Sequence, residues 1–397
     1  MISYVMPTRD RPAELSQTLA RIGALNHLGV RAEVVIVDNA SRDRVRCPRH
    51  LPNGLPVRVI RLDENRSAAA RNVGVSEADG DWIVMLDDDS YPLSAEGIIN
   101  AINAAPMDIA AIGAEIFLGG GTYSTPLDVH TAPHEAGGLP EVIIGCGALI
   151  RRDRFIKVGG YDASFDYYAE EYDLCAKLLL QGWRVGVDRR FQVVHEKVAS
   201  NRNFGHILRR LVRNSSVVAM RYAPRDELGH ELKTIASRYA QIARSRRTLC
   251  AYGAGIAQAL ACFPDLARRP MTPEIWGRFI GLDAARVAVA RAISAAGGSL
   301  GPTAIVQPGK NASVVTLALR EHRVELTQDP RDARTLVIGT MSPGPMLDAL
   351  RSTRLAFPGV RVVAPWLGAS EHHANADSAP ASSTVPARLL PRYAAAS

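Results

Sequence analysis

A run of five apolar residues, Trp82-Ile83-Val84-Met85-Leu86, ends in three consecutive carboxylates, Asp87-Asp88-Asp89, followed by Ser90-Tyr91-Pro92. Unbroken apolarity fits a strand covered on both faces, and therefore a sheet held between helices. Acids at the carboxyl end of such a strand stand where open α/β sheets take their ligands. Three adjacent aspartates repel one another, so a cation is expected among them. Oxygen ligands of this kind suit Mg²⁺ or Mn²⁺, with substrate phosphates completing the shell.

The chain before this run repeats its logic. Ile2 to Met6 is a short apolar strand stopped by Pro7, and Arg11 to Leu25 carries Leu15, Leu19, Ile22 and Leu25 at helical spacing. Glu33 to Val37 and Val57 to Ile60 read as further strands, the first ending in Asp38-Asn39, and Ser67 to Ala78 as a helix. Strands alternating with helices predict a parallel sheet with right-handed crossovers.

After Pro92 the spacing predicts a helix over Asn100 to Ala105, a strand over Ile109 to Phe117, and a loop from Gly119 to Pro140 rich in Gly, Pro and His. Such a loop can serve as a lid, and histidines in it, here His130 and His134, are more often solvated than ligating. Val142 to Arg151 reads as a strand whose Gly145-Cys146-Gly147 allows a close backbone approach. Tyr167 to Leu180 is helical, opened by Glu170, Glu171 and Asp173, which local chemistry explains equally as complements to the helix dipole. Trp183 to Val187 and Phe191 to Val194 are expected as two short strands, the second ending in His195.

Asn203 to Tyr222 is a basic amphipathic helix with Arg209, Arg210, Arg213 and Arg221, either a solvated face or a contact for a membrane surface or acceptor. Helices are expected over Asp226 to Ala295, then a linker at Gly297 to Pro302. A small α/β module follows, with strands at Ala304 to Val306, Val324 to Leu326, Thr335 to Ile338 and Arg361 to Val363.

At 397 residues the chain has room for one large domain and an appendage, and a net charge of +7 points to anionic ligands or surfaces. Nucleic acid is not expected, since the basic residues lack the aromatic interleaving of a single-strand groove. Five cysteines without CxxC spacing argue against a disulfide framework and a structural zinc. A reducing cytoplasm is the expected location, because no apolar stretch reaches the roughly 20 residues of a membrane span. Peripheral contact with the inner membrane face is a further expectation.

Taken in order, Met6-Pro7-Thr8-Arg9, Val37-Asp38-Asn39, Asn65 to Asn72, Leu86 to Asp89, Gly145-Cys146-Gly147, Gly159-Gly160-Tyr161-Asp162, Glu170 to Leu174 and Arg213-Asn214 resemble family 2 glycosyltransferases. The resemblance covers residues 1–222. It implies a GT-A fold, a Rossmann-like mixed α/β sheet flanked by helices, and an inverting transfer from a nucleotide-diphosphate sugar to an acceptor hydroxyl. It also implies that Pro7, Thr8, Arg9 and Asp38 hold the nucleobase and that Arg71 and Asn72 line the nucleotide site. Asp87 would meet the ribose side, Asp89 and His195 the metal, and Asp88 would stand nearby without an assigned task. Glu171 would be the general base, with Asp173 as a supporting acid. Asn39, Ser67 and the longer Glu171 depart from the commoner family pattern, and the Asp-Asn pair adds dTDP-sugars to UDP-sugars as candidate donors. The expected division is a GT-A domain over 1–222, a helical extension over 223–300, the small module over 301–370 and a disordered tail over 371–397.

A sugar nucleotidyltransferase would carry a glycine-rich loop after the first strand, and a dehydrogenase a G-x-G-x-x-G. Pro7-Thr8-Arg9-Asp10 is neither. The alternative outside enzymology is a catalytically silent domain acting as a scaffold.

Overall fold

Strand β1 (Ile2–Thr8) is the centre of the first half, and its alternate residues feed two cores. Val5 joins one with Val35, Ile83 and Met85, while Tyr4 and Met6 join the other with Val34, Ile36 and Val84. The computed structural model describes residues 1–120, 127–197 and 203–366.

Helix α1 (Pro12–Gly23) leads to β2 (Ala32–Asp38) and β3 (Val57–Arg61), and a short 3₁₀ turn opens α2 (Ala70–Glu77) before β4 (Trp82–Met85). Gly74 lets α2 lie directly on the sheet, since a Cβ there would come 2.5 Å from Val5 and 2.9 Å from Val37. The chain then runs through β5 (Ser90–Pro92), α3 (Ala95–Ala104), β6 (Ile109–Leu118), β7 (Ala148–Arg151), α4 (Arg152–Lys157), α5 (Glu170–Leu180) and β8 (Arg184–His195). The sheet order is β3-β2-β1-β4-β7-β6-β8-β5. Its first four strands are parallel, whereas β7 and β5 run against their neighbours. This is the mixed sheet flanked by helices that the resemblance implied.

Three expectations are corrected here. Strand β7 begins only at Ala148, because Val142 to Gly147 forms a wall of the site described below. The two short strands after Trp183 are one, β8, whose charged middle reflects an irregularity. Pairing jumps from Ala114 opposite Asp188 to Glu115 opposite Gln192. Arg189 bonds Glu115 across that jump at 3.1 Å. Helix α3 starts five residues before Asn100, where Ser94 caps it by accepting from the Gly97 amide.

Helices α6 (Phe204–Tyr222), α7 (Leu228–Ser245) and α8 (Leu249–Cys262) pack together, and α9 (Pro273–Ile280) and α10 (Leu282–Ala295) follow. A separate parallel sheet, β11-β10-β9, is built from β9 (Thr303–Val306), α11 (Ala312–Glu321), β10 (Thr335–Ile338), α12 (Pro343–Ala356) and β11 (Arg361–Val363). The strand expected at Val324 to Leu326 reduces to a single bridge between Leu326 and Thr303. The carboxyl ends of this small sheet press on the first half. Asn311 donates to the Ile280 carbonyl at 2.8 Å, and the Gly137 amide donates to the Ser342 hydroxyl at 3.1 Å. Gly344 lies so close that a Cβ would meet the Glu135 carbonyl at 2.1 Å. The expected disordered tail lies outside the described residues, as do residues 121–126 of the expected lid.

Candidate active site

The register of β1 between β2 and β4 gathers the acids at one edge. Thr8 pairs with Asp38, Val5 with Met85, and the chain turns at Leu86 into the aspartate triplet. Asp38 is buried, accepting from the Ser41 amide at 2.9 Å and from Arg61 at 2.8 Å. Burial opposes its charge, but Ser41 and Arg61 outweigh that and hold its carboxyl below the usual range. Arg9 is exposed beside it, while Pro7 is buried in β1.

The three aspartates have separate surroundings. Asp87 is the least buried and accepts from Arg71, whose guanidinium is itself buried and lies 5.9 Å from the Tyr161 ring centroid. Asp88 points inward to the Thr8 hydroxyl at 2.8 Å and to Arg11 at 2.7 Å. Burial pushes its carboxyl up to about 7 despite those two partners. Asp89 meets the other arm of Arg11 at 2.7 Å and His195 Nε2 at 3.3 Å. Burial disfavours its charge, yet His195 and Arg11 keep it ionised well below the ordinary carboxylate range.

Pairing of Ser90 with His195 in the β5–β8 ladder brings the histidine to this edge. Its Nδ1 faces Glu135 at 2.7 Å and the Cys146 thiol at 3.7 Å. Burial opposes the imidazolium, but the Asp89 and Glu135 carboxylates raise its pKa far above the usual value. One ligand atom each from Asp87, Cys146 and His195 lie within 4.8 Å of one another, a grouping that could hold a metal ion. Asp89 stands outside that trio, turned to Arg11 and His195.

Asn72 braces a neighbouring turn. Its side chain donates to the Tyr161 carbonyl at 2.8 Å and accepts from the Tyr161 amide at 2.9 Å, fixing the Gly159-Gly160-Tyr161 turn against α2. Gly160, at φ +60°, could not carry a side chain there, because a Cβ would meet Asn72 Oδ1 at 2.4 Å.

Opposite the triplet, Glu171 opens α5 and accepts from the Gly145 amide at 3.1 Å. Burial raises its pKa, with Gly145 and Arg71 pulling the other way and Asp87 adding to the rise. The neighbouring Glu170 is buried more deeply and lies well above its ordinary value, burial first and Glu171 second. Glu171 is the less buried of the two. The chain enters α5 through Asp166, Tyr168 and Ala169, all in the left-handed region at φ +62°, +72° and +65°. Such non-glycine positions cost about 1–3 kcal/mol each and persist only when their surroundings impose them. Asn214 does so here, donating to the Phe165, Tyr167 and Tyr168 carbonyls at 2.8, 2.9 and 2.6 Å.

Asp173 is fully buried among Arg221 at 2.5 Å, the Tyr222 hydroxyl at 2.6 Å and Lys177 at 2.9 Å. It ties α6 to α5. Asp173→Asn should therefore cost stability, about 2 kcal/mol, because Arg221 and Lys177, both partly buried, lose the carboxylate between them. Denaturant melts read that loss directly; a variant as stable as the parent but inactive would instead assign Asp173 a part in the chemistry. The arginines of α6 point the same way. Arg210 pairs with Asp166, Arg213 donates to the Ser164 carbonyl, and Arg221 bridges Asp162 and Asp173. Three of the four arginines of the stripe thus act on the loop that sets Glu171.

Arg11 and Glu135 join the site without having been singled out by the sequence. Arg11 had a local signal, a base three residues past the first strand's end, and Tyr161 belonged to a motif without an assigned role. His134, expected in solvent, is buried between Asp348 at 2.6 Å and Glu115 at 3.4 Å, whereas His130 is exposed as expected. Among the described residues no helix is long and apolar enough to cross a membrane.

Residues 3–159 match the family model described as Glycosyl transferase family 2. An uncharacterised glycosyltransferase of Haemophilus influenzae is 31% identical over 194 residues, 45% of this chain and 62% of that protein. Another from Bacillus subtilis is 32% identical over 176 residues, 42% of this chain and 64% of that protein. The chain thus spans less than two thirds of the length of either relative. Among solved structures, a Pyrobaculum calidifontis mannosyltransferase in complex with GDP-Man and Mn²⁺ is 18% identical with a TM-score of 0.43, covering 74% of this chain and 80% of that one. The similarity to glycosyl transferase family 2 therefore lies in the N-terminal part of the chain.

Proposed function

We propose that this protein is a metal-dependent, inverting glycosyltransferase that moves a sugar from a UDP- or dTDP-sugar to an acceptor hydroxyl. The observation that carries this reading is the position of Arg71. It pairs with Asp87 at the strand tip and acts electrostatically on Glu170 and Glu171 across from it, so that two acid groups with different tasks share one site.

The donor set suits a hard divalent ion. Asp87 and His195 would hold Mn²⁺ or Mg²⁺ with Asp89 beside them, carboxylate oxygen and imidazole being ordinary ligands for such ions. Burial pushes the Cys146 thiol up to about 11, so it stays protonated at neutral pH and is the weakest of the three donors. When bound, the ion supplies Lewis-acid stabilisation to the departing diphosphate. Thr8, Arg9 and Asp38 sit at the edge where the nucleobase would lie, and Arg11 stands with Arg71 on the anionic side.

Glu171 would take the proton of the acceptor hydroxyl as its oxygen attacks the anomeric carbon. The bond from that carbon to the nucleotide diphosphate breaks on the opposite face, which inverts the centre. A carboxylate with a raised pKa is a better base than an ordinary one, provided it is still ionised at the working pH. The cytoplasm suits both the donor and the cysteines, all five of which are free thiols.

A thermal-shift panel of UDP, dTDP and GDP, each with and without Mn²⁺, tests the reading. Stabilisation by one nucleotide only when the metal is present is expected, rising with ligand concentration as linkage requires. No shift with any of them would favour the silent scaffold.

A further inference from the structure

Lys310 lies in the Gln307-Pro308-Gly309-Lys310-Asn311 turn between β9 and α11, on the edge of the second sheet that meets the first half. Its backbone is pinned on both sides. The Met341 amide donates to the Lys310 carbonyl at 2.9 Å, and the Gly309 amide donates to Gly339 at 2.8 Å. The side chain leaves its own module and reaches α5. There the ammonium donates to the Tyr172 hydroxyl and sits 4.0 Å from the centroid of that ring. Tyr172 in turn donates to the Gly138 carbonyl at 3.2 Å, so the lysine's seat is itself anchored. Tyr172 adjoins Glu171.

We propose that Lys310 is a positioning residue of the transfer site: planted on Tyr172 by the second module, it sets a positive charge beside Glu171 and makes that module part of the acceptor side. The proposal rests on the reading of Glu171 as general base. Burial draws the Lys310 ammonium down to about 7, and Glu171 is the group that resists the drop. The influence is mutual, because a charge that stabilises the ammonium also favours the carboxylate. Glu171 further faces Glu170 on its own helix, Arg71 on α2, Asp87 beyond β4, and Tyr161 and Cys175. Glu170 and Asp87 disfavour its ionisation, and Arg71 is already committed to Asp87. Lys310 adds a second cation, from the other module, to those that favour the carboxylate.

The test uses full-length protein with Lys310→Met and Lys310→Arg. In the pH profile of nucleotide release from the donor, the acid limb of Lys310→Met should move up by about one unit while the rates converge at high pH. Lys310→Arg should keep the limb in place. A uniform drop with an unmoved limb would reduce Lys310 to packing. A second measurement needs no turnover. The chain has only five lysines, so ¹³C reductive methylation resolves Lys310 by comparison with its variant. Its titration should fall further in Glu171→Gln. An unchanged titration there overturns the proposal. A changed titration in a protein that releases no nucleotide from any donor would leave the charge coupling standing and remove the base assignment instead.

Discussion

Asp89→Ala should lower donor turnover by at least about a thousandfold, roughly 4 kcal/mol of transition-state stabilisation. Three roles meet in that carboxylate. It neutralises one arm of Arg11, it faces His195, and it stands beside the Asp87 and His195 atoms that suit a divalent ion. Removing it leaves Arg11 with one carboxylate fewer and takes away the acid that stands beside the cation proposed for the diphosphate. Arg11→Gln is the informative comparison. If Asp89 served only to hold Arg11, the two variants would lose turnover alike and both would keep their response to Mn²⁺. The expected outcome is that Arg11→Gln still gains stability from nucleotide plus Mn²⁺ and Asp89→Ala does not. Turnover in Asp89→Ala within tenfold of the parent would take the residue out of the site.

Glu171→Gln should behave in the complementary way. The substitution keeps size and an acceptor for the Gly145 amide while removing the proton acceptor, so nucleotide affinity should hold within about twofold and transfer should fall by about 10²–10⁴, the usual worth of a general base. The parent also makes a prediction about pH. Because burial raises the Glu171 pKa, the base is protonated earlier on acidification than an ordinary glutamate. Turnover should therefore be full above that raised value and lost as pH falls through it. Nucleotide release across the pH range in parent and variant reads both effects, and a variant with the parent's rate and profile would show that another group takes the proton.

The gathering of acids at one edge of the sheet could be read from residue order, and the reason is local. Asp38 and the Asp87 to Asp89 triplet each follow a buried apolar strand, and Arg71 and Glu171 open helices, so neighbours in sequence fix where they point. Local pattern fails where partners arrive from afar. Glu135, which orients His195, comes 60 residues earlier in a loop whose composition suggested only mobility. Lys310 reaches Tyr172 across 138 residues, from a module that the Gly297 to Pro302 stretch marked as separate. The same limit explains β8. Asp188-Arg189-Arg190 breaks the apolar run and reads as an end, but Arg189 is offset by Glu115 on β6, a partner visible only once the strands are paired. Asn72 shows the converse, since its place in a motif suggested a ligand contact and its hydrogen bonds go to Tyr161.

The docking of the small sheet bears on stoichiometry. Parallel sheets of this kind take ligands at the carboxyl ends of their strands, and in β9 and β10 those ends carry Lys310, Thr340 and Ser342. Here that edge is closed by contact with Tyr172, Gly137 and Ile280. The second module has therefore given up the crevice in which it could have bound a nucleotide of its own. On the proposed reading, the two α/β sheets would then share a single active centre, with one nucleotide expected for each polypeptide.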